Sequence, residues 1–276
     1  MYDQASDILQ MDIRQLSFEG PEEELRKTFI TQPAILVHSI AVWSVVKPLG
    51  LIPQAAAGHS LGEYSALYAA GALDFESVLK LVKRRGELMW NEGVSNPGTM
   101  AAIIGLDAEI VSAICREVEV IVVPANFNEP NQTAISGQIP AVEKAMELAK
   151  ARGALKAVRL PVSGAFHSPL LENSVLEFSR YLSQFTIRNP SFPVIANATG
   201  LPESTADEVR ANLDRQLTSP VQWVKTIQTL RDLGIKEFYE LGPGKVLCGL
   251  AKRIDRNLSC KPIGSVQDIN QLTSEA

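Results

Sequence analysis

The longest apolar run in the chain covers residues 33–46 and is interrupted only by His38, Ser39 and Ser44. Because proline fits the first turn of a helix, Pro33 predicts a buried helix that begins there and ends before residues 48–50. The run is too short to cross a bilayer, which needs about 20 apolar residues.

A short apolar run at 55–58 is followed by helix-forming residues at 61–70, and a second helical pattern covers 75–90. This order predicts a buried strand, a sharp turn and two helices. The Ser-Asn-Pro-Gly segment at 95–98 is typical of a connection to another structural unit.

The pattern then changes to short strands with two helices between them. Strands are predicted at 100–104, 120–125, 132–136 and 155–160, and helices at 108–117 and 141–152. This βαββαβ order is that of a ferredoxin-like domain. After it, longer units return, with strands predicted at 193–197 and 237–241 and helices at 207–213, 221–233 and 247–254.

Composition narrows the class of protein. The chain has 276 residues, of which 46% are hydrophobic and 21% charged, which is typical of a soluble globular protein. Its net charge is -5 and no basic tract offsets this charge, so the sequence does not indicate a nucleic-acid partner. Cys115, Cys248 and Cys260 are odd in number, widely spaced and form no C-x-x-C pattern, so we expect neither a disulfide framework nor a zinc site. A reducing, cytoplasmic location fits this cysteine usage.

The predicted turn carries the pentapeptide Gly58-His59-Ser60-Leu61-Gly62, which matches the G-x-S-x-G nucleophile elbow. A Cβ at either glycine is expected to collide with the neighbouring strand or helix. Ser60 would lie at the positive end of the following helix, where the Leu61 N–H can stabilise an oxyanion. The pentapeptide alone is moderately specific, and its place between a strand and a helix strengthens the prediction.

Ser60 needs a base, and the chain contains three histidines. His38 lies in the apolar run and is expected to pack in the core. His59 should face away from Ser60, because alternate side chains of an extended segment point to opposite sides. His167, in the loop-like segment 162–169, is therefore the candidate base, although a loop histidine without a nearby nucleophile would be an ordinary surface residue.

Arg85 lies in the middle of the apolar side of the helix predicted over 78–89, which it shares with Met89. A buried guanidinium needs an anionic partner, which is either an internal carboxylate or a ligand. Helical spacing alone favours an internal salt bridge. This helix follows the nucleophile's helix closely, so Arg85 could project into the same cleft and bind a ligand there. The planar guanidinium is suited to bidentate binding of a free carboxylate.

These motifs belong to a set of segments that extends over nearly the whole chain: 31–34, 58–67, 85–86, 100–105, 126–128, 161–167, 216–217 with 220–223, and Glu-Leu-Gly-Pro-Gly at 240–244. Together they resemble the malonyl-CoA:acyl-carrier-protein transacylases and the related acyltransferase domains of polyketide and fatty-acid synthases. The set is far more specific than any single motif.

The resemblance implies that Ser60 is acylated, that His167 activates it and that Arg85 binds the malonyl carboxylate. It also implies that the backbone carbonyl of Gln216 orients His167. Phe166 would crowd an α-methyl branch, a preference worth about 1–3 kcal/mol. The candidate substrate-binding residues are Arg85, Leu61, Gln216, Phe166 and Met89.

The fold class expected is α/β, with a large α/β-hydrolase-like domain and a parallel sheet formed by residues 1–97 and 162–276. The small ferredoxin-like domain, residues 98–161, is inserted into it. The expected function is ping-pong transfer of a malonyl group from malonyl-CoA to the phosphopantetheine thiol of acyl carrier protein in fatty acid biosynthesis. A cytoplasmic monomer is expected, with no metal, resident cofactor, nucleic acid or membrane partner.

The start of the sequence departs from the family pattern. Family members open with a strand and a G-Q-G-S-Q loop, whose glutamine N–H supplies a second oxyanion donor, and these residues are not found in this chain. The resemblance thus implies a missing donor, typically worth about 100- to 1,000-fold in turnover, and an exposed sheet edge.

Three alternatives share part of this evidence. A polyketide-type acyltransferase has the same motifs. A serine thioesterase or esterase shares G-x-S-x-G, but its histidine normally comes near the end of the chain, and about 100 residues follow His167. A binding or scaffold protein could keep the fold without the first strand and without catalysis.

Overall fold

The computed structural model describes residues 1–275. Its α-helices are α1 Tyr2–Leu9, α2 Ile13–Glu19, α3 Glu22–Leu25, α4 Thr28–Val46, α5 Gly62–Ala69, α6 Phe75–Ser95, α7 Ala108–Glu117, α8 Ile139–Ala151, α9 Glu172–Leu182, α10 Ala206–Gln216, α11 Trp223–Asp232, α12 Val246–Ile254 and α13 Val266–Glu275. Its strands are β1 Ala56–Ala57, β2 Gly98–Ile104, β3 Val122–Glu129, β4 Gln132–Gln138, β5 Lys156–Arg159, β6 Val194–Ile195, β7 Pro202–Glu203, β8 Glu237–Leu241 and β9 Ser259–Ile263.

Strands β2 to β5 form an antiparallel sheet in the order β3-β4-β2-β5. Helices α7 and α8 pack on it, and their apolar faces meet the inward residues Ala101, Ile103 and Ile135 in one core. The βαββαβ order predicted for this segment is therefore confirmed. The division into domains at residues 98 and 161 stays a prediction.

The remaining strands form two smaller sheets. In the first, β1 pairs in parallel with β6, and β7 pairs antiparallel with β6. In the second, β8 pairs in parallel with β9. The fold is α/β as predicted, but the parallel sheet expected in the large part of the chain is present as these two separate pieces.

The main core lies beside the first small sheet and is built by the early helices. Helices α1, α4, α5, α6, α9 and α10 all contribute buried side chains to it, including Leu9, Leu36, Leu67 and Phe178. Helices α4 and α6 approach closely at Gly86, where a Cβ would lie 2.8 Å from the Phe29 Cα. This contact places the two helices that carry Gln32 and Arg85 side by side.

Helix α4 corrects the first sequence prediction. It begins at Thr28, so Pro33 lies inside the helix and not in its first turn. With the following 3₁₀ turn, Thr28–Leu49 has the length and composition of a helix that could cross a membrane, and 56% of its apolar 18-residue stretch is buried within the fold. The helix is longer than the apolar run at 33–46, and its burial is typical of the core helix that this run predicts.

The cysteine pattern did not predict the one disulfide that the structure contains. Cys248 and Cys260 form a disulfide with their Cα atoms 5.2 Å apart, and Cys115 is buried and free. The pair is 12 residues apart in sequence and meets because α12 follows β8 and lies against β9. A local cysteine motif cannot predict a disulfide between a helix and a strand that meet through tertiary packing.

Candidate active site

The nucleophile elbow is the four-residue connection between β1 and α5. Ser60 has φ of 53°, in the left-handed region that costs a non-glycine residue strain. A Cβ on Gly58 would lie 1.9 Å from the Gly62 carbonyl carbon, so glycine is required there. A Cβ on Gly62 would meet no atom within 4 Å, and the expectation that both glycines prevent a collision was wrong for Gly62.

The Ser60 hydroxyl lies against the imidazole of His167, with Oγ 2.8 Å from Nε2. Nδ1 of the same ring is 3.0 Å from the Gln216 carbonyl and 3.1 Å from the Ser219 carbonyl. Because carbonyl oxygens only accept, Nδ1 carries the proton and Nε2 is left free to accept from Ser60. The structure therefore brings together the predicted nucleophile, the predicted base and the Gln216 carbonyl.

Ser60 and His167, which contact each other, both have strained backbone. Among non-glycine residues in 1–275, positive φ occurs at Gln10, Ser60 and His167, the last with φ of 55°. Strained backbone persists where the surrounding structure holds it, and it is concentrated at functional sites. Hydrogen bonds from both ring nitrogens of His167 supply that restraint here.

His167 is 3% exposed, and its burial is the largest cause that lowers its pKa from the ordinary 6.5 to about 3, followed by the positive charge of Arg85. The ring is therefore neutral at pH 7 and ready to accept a proton. The unfolded chain takes up this proton below pH 6.5 and the folded chain only near pH 3. The contribution of His167 to stability is thus complete above pH 6.5 and is lost as the pH falls toward 3.

We expect the rate of acylation of the free protein not to fall as the pH is lowered through 6.5, because the imidazole of His167 stays unprotonated well below that pH. Single-turnover acylation, measured from pH 5 to 8 on folded protein, checks this. A limb between pH 6 and 7 that persists in a Glu63→Gln variant would contradict the depressed pKa of His167.

Arg85 is 1% exposed and lies directly beside the nucleophile. Its Nη2 donates to Ser60 Oγ over 2.9 Å and to Gln216 Oε1 over 3.0 Å, and its Nη1 donates to Gln32 Oε1 over 2.7 Å. The ring of Tyr64 lies 5.5 Å from the guanidinium carbon. The burial predicted for Arg85 is confirmed.

The internal salt bridge that helical spacing favoured is not formed. Within residues 1–275, no ion pair includes Arg85, and each of its hydrogen-bond acceptors is a neutral oxygen. Burial lowers the pKa of Arg85, but a guanidinium stays charged in proteins. The site therefore holds a cation next to Ser60 that has no direct ion-pair partner, and Tyr64 and the buried Glu63 act on it through their charge without a salt bridge.

A buried amide that the sequence reasoning missed holds the elbow in place. Asn197 accepts the Ser60 N–H at Oδ1 over 2.6 Å and donates from Nδ2 to the Gly58 carbonyl over 2.7 Å. Its own N–H donates to the Glu63 carboxylate over 3.1 Å. Gly58 and the strained Ser60 are thus both bound by one side chain, which lies just after β6.

Glu63 is the buried carboxyl of this network, with an exposed fraction of 0%. It accepts from Gln216 Nε2 over 2.7 Å, and burial raises its pKa to about 7. Burial likewise raises the pKa of Glu203 to about 8, with the charge of Glu63 as the next cause. Two carboxyls so placed resist being ionised together, so at neutral pH this region retains a proton.

The other predicted residues lie around this centre. Leu61 precedes α5, and the neighbouring N–H groups of Gly62 and Glu63 are used by the turn itself, bonding the carbonyls of His59 and Ser60. Met89 is buried and accepts from Gln32 Nε2 at its sulfur over 3.2 Å. Phe166 packs where the main core meets the smaller cluster around Met100.

The two other histidines are engaged elsewhere, as predicted. His59 Nε2 lies 2.8 Å from Asn128 Oδ1, and its ring lies against Trp223. His38 Nε2 lies 3.1 Å from the Gly264 carbonyl. Neither ring contacts Ser60 in these hydrogen bonds, which leaves His167 as its partner.

The pattern of the acyl transferase domain matches residues 5–267 of the chain. The malonyl CoA-acyl carrier protein transacylase of Staphylococcus aureus (strain MRSA252) is 40% identical over 268 residues, which cover 96% of this chain and 86% of that protein. The protein of the same name from Escherichia coli (strain K12) is 42% identical over 263 residues, covering 94% and 85%. This chain belongs to the malonyl CoA-acyl carrier protein transacylase family.

Solved structures of the family agree with the fold. The transacylase of Coxiella burnetii is 41% identical, with a TM-score of 0.95, and the match covers 99% of this chain and 87% of that one. A malonyl-transacylase in complex with a type II PKS acyl-carrier protein is 40% identical, with a TM-score of 0.96, and the match covers 100% and 90%. The predicted family and α/β fold are therefore confirmed.

Among residues 1–275, one group has the spacing of a possible metal site: Glu240, Cys248 and Cys260. The two sulfurs are bonded to each other, and the Glu240 carboxylate accepts the N–H groups of Leu247 and Cys248 over 3.0 and 2.7 Å. A sulfur in a disulfide is not a thiolate ligand. While the disulfide is intact, Cys248 and Cys260 therefore cannot serve as thiolate ligands beside Glu240.

Proposed function

We propose that this chain transfers a malonyl group from malonyl-CoA to the phosphopantetheine thiol of acyl carrier protein, through a malonyl ester on Ser60. The observation that carries the proposal is the 2.9 Å contact between Arg85 Nη2 and Ser60 Oγ. A cation this close to the nucleophile fits an acyl group whose carboxylate is only one methylene from the reacting carbonyl. Malonyl meets this description, and a longer diacid would place its carboxylate too far away.

In the first half-reaction, His167 Nε2 takes the proton of Ser60 Oγ as the oxygen attacks the thioester carbon. The C–S bond breaks, and the leaving CoA sulfur receives that proton from the imidazolium. The Leu61 N–H is the proposed donor to the oxyanion. Once Ser60 Oγ carries the acyl group, Arg85 Nη2 no longer donates to Oγ and donates to the malonyl carboxylate instead.

In the second half-reaction, the carrier's thiol gives its proton to His167 and attacks the ester carbon. The C–O bond to Ser60 breaks, and Oγ recovers the proton from the imidazolium. The Nδ1 contacts with the carbonyls of Gln216 and Ser219 favour the imidazolium formed in both steps, because each accepts from the ring N–H. The reaction requires no metal or redox group from the protein.

The site chemistry is shared by two carrier classes. The relatives from Staphylococcus aureus and Escherichia coli are named for acyl carrier protein, which supports the fatty-acid role. The structural relative in complex with a type II PKS acyl-carrier protein supports a polyketide-type acyltransferase as the second candidate. We further propose a monomer in the cytoplasm, where a reducing environment would hold Cys248 and Cys260 as thiols.

The fate of the acyl group tests the proposed function. Folded protein is incubated with malonyl-CoA labelled in the malonyl group, and then with the phosphopantetheine form of a fatty-acid carrier or of a type II PKS carrier. We expect the label on a carrier thiol, with little free malonate. Release mainly as malonate would identify a hydrolase, and a folded protein that takes up no label would support the scaffold alternative.

A further inference from the structure

Glu63 lies in the first turn of α5, close behind the nucleophile, and its backbone N–H donates to the Ser60 carbonyl over 3.3 Å. Its side chain is fully buried. The carboxyl oxygen Oε2 accepts from Gln216 Nε2 over 2.7 Å and from the Asn197 N–H over 3.1 Å. The other oxygen, Oε1, has no hydrogen-bond partner among residues 1–275. A buried carboxyl is costly, so one that uses a single oxygen for two contacts calls for a functional explanation.

The side-chain amide of Gln216 lies between this carboxyl and the guanidinium of Arg85. Its Oε1 accepts from Arg85 Nη2 over 3.0 Å and from Arg85 Nε over 3.2 Å. Its Nε2 donates to Glu63 Oε2 and, over 3.1 Å, to the Ser60 carbonyl. A guanidinium only donates, whereas the carboxyl and carbonyl oxygens accept. The chemistry on both sides of the amide therefore dictates one orientation, with its oxygen toward Arg85.

The amide orients Arg85 without neutralising it. A direct ion pair between Glu63 and Arg85 would place a carboxylate where the carboxylate of a ligand has to bind. Instead, the hydrogen bonds run from Arg85 to the Gln216 oxygen and from the Gln216 nitrogen to Glu63. Each bond in such a chain polarises the next, so the buried carboxyl strengthens the hold of the amide on the guanidinium.

The second contact of Glu63 leads to the elbow. Asn197, whose N–H binds Glu63 Oε2, binds the Ser60 N–H and the Gly58 carbonyl through its side chain. This contact acts on the nucleophile whatever acyl group is transferred. The contact with Gln216 acts on Arg85, whose charge assists only a substrate with a free carboxylate. The two contacts can therefore be separated by comparing two acyl groups.

We propose that Glu63 is a positioning residue that holds the Gln216 amide through Oε2 and, through this amide, holds Arg85 where the malonyl carboxylate binds. The role requires an acceptor at the position of Oε2, which a glutamate reaches from the first turn of α5. It does not require a negative charge there. This inference rests on the proposed function, because it gives Glu63 a part in binding the malonyl group.

Two conservative variants separate reach from charge. Glu63→Asp keeps the charge but is one methylene shorter, so its oxygens fall short of Gln216. Glu63→Gln keeps the length and can place its oxygen at the position of Oε2, without the charge. We expect Glu63→Asp to lower the ratio of kcat/KM for malonyl-CoA to that for acetyl-CoA by about 10- to 100-fold, and Glu63→Gln to keep it within about threefold.

The Gln216 amide gives a second readout that needs no turnover. In protein with ¹⁵N-labelled glutamine side chains, its signal is the one that is missing from a Gln216→Leu variant. An amide whose hydrogens are buried and bonded exchanges slowly with water. We expect slow exchange in the unaltered protein and in Glu63→Gln, and exchange at least about tenfold faster in Glu63→Asp. Unchanged exchange in Glu63→Asp would overturn the proposal.

Glu203→Asp is the matched control. Glu203 is also fully buried, but it accepts from Asn212 Nδ2 over 2.6 Å and makes no hydrogen bond to Gln216. The acyl ratio and the exchange rate should stay unchanged in this variant. An effect equal to that of Glu63→Asp would show that moving any buried carboxyl disturbs the site, and it would overturn the proposal.

The kinetic outcomes distinguish this inference from the proposed function. A protein that transfers no malonyl group overturns the proposed function, and the role of Glu63 in malonyl binding with it. Malonyl transfer with an unchanged acyl ratio in Glu63→Asp, or with an equal loss of the ratio in Glu63→Gln, overturns the role of Glu63 alone. If Glu63→Asp does not fold, Glu63→Leu, which is apolar and has no acceptor, takes its place in the same comparison.

Discussion

The Ser60→Ala variant is expected to form no malonyl-enzyme and to lose malonyl transfer by at least about 10⁴-fold. The hydroxyl is the group that His167 contacts through Nε2 and that Arg85 contacts through Nη2. Alanine keeps the strained backbone of the elbow, since a Cβ is already present there. Intact mass after exposure to malonyl-CoA, together with the rate of transfer to the carrier, checks this result.

Ser65→Ala is the matched control for this variant, because Ser65 lies on α5, the helix that follows the elbow. Its mass adduct and transfer rate should match those of the unaltered protein. A malonyl adduct that persists in Ser60→Ala would place the acyl group on another residue. The proposed role of the elbow would then be wrong.

The Arg85→Ala variant is expected to lower malonyl transfer by about 10²–10³-fold and to improve acetyl transfer relative to malonyl transfer. The guanidinium is buried, and the oxygens that accept its hydrogen bonds, on Ser60, Gln32 and Gln216, are all neutral. Only a substrate with a free carboxylate gains from its charge. The ratio of kcat/KM for malonyl-CoA to that for acetyl-CoA measures the effect.

Arg84→Ala provides the control at the neighbouring position of the same helix. Arg84 is partly exposed and pairs with Glu87 and Glu177, away from the nucleophile. It should leave the malonyl-to-acetyl ratio unchanged. Arg85→Ala removes the donor to the side-chain oxygens of Gln32 and Gln216, so Arg85→Gln is measured in parallel. An unchanged malonyl-to-acetyl ratio in both variants would show that the role of Arg85 is structural.

Local patterns were sufficient for much of the fold. The strand Glu237–Leu241 and the βαββαβ segment follow from short apolar runs between turn residues, and these were located closely. Helix α4 begins at Thr28, before Pro33, which the sequence predicts to lie in its first turn. Proline is tolerated further inside when tertiary packing compensates for the missing hydrogen bond, and 11 residues of this helix are buried.

The site shows the same division between local and distant information. Ser60, His167 and Arg85 were found because each residue type is unusual in its local setting. Gln32, Glu63 and Asn197 were not singled out, because a polar residue in a helix or after a strand is ordinary in sequence. Their importance is visible only when they are buried together around Ser60 and Arg85.

The sequence by itself determined the family, the α/β class, the turn at Ser60 and the histidine that contacts it, because these depend on motifs and on a supply of only three histidines. Tertiary structure alone decided that Arg85 has no carboxylate within salt-bridge distance and that Cys248 meets Cys260. It also decided that β8 and β9 form a sheet separate from that of β1, β6 and β7. These features depend on contacts between segments that are distant in sequence, and hydrophobic periodicity carries no information about which segments will meet.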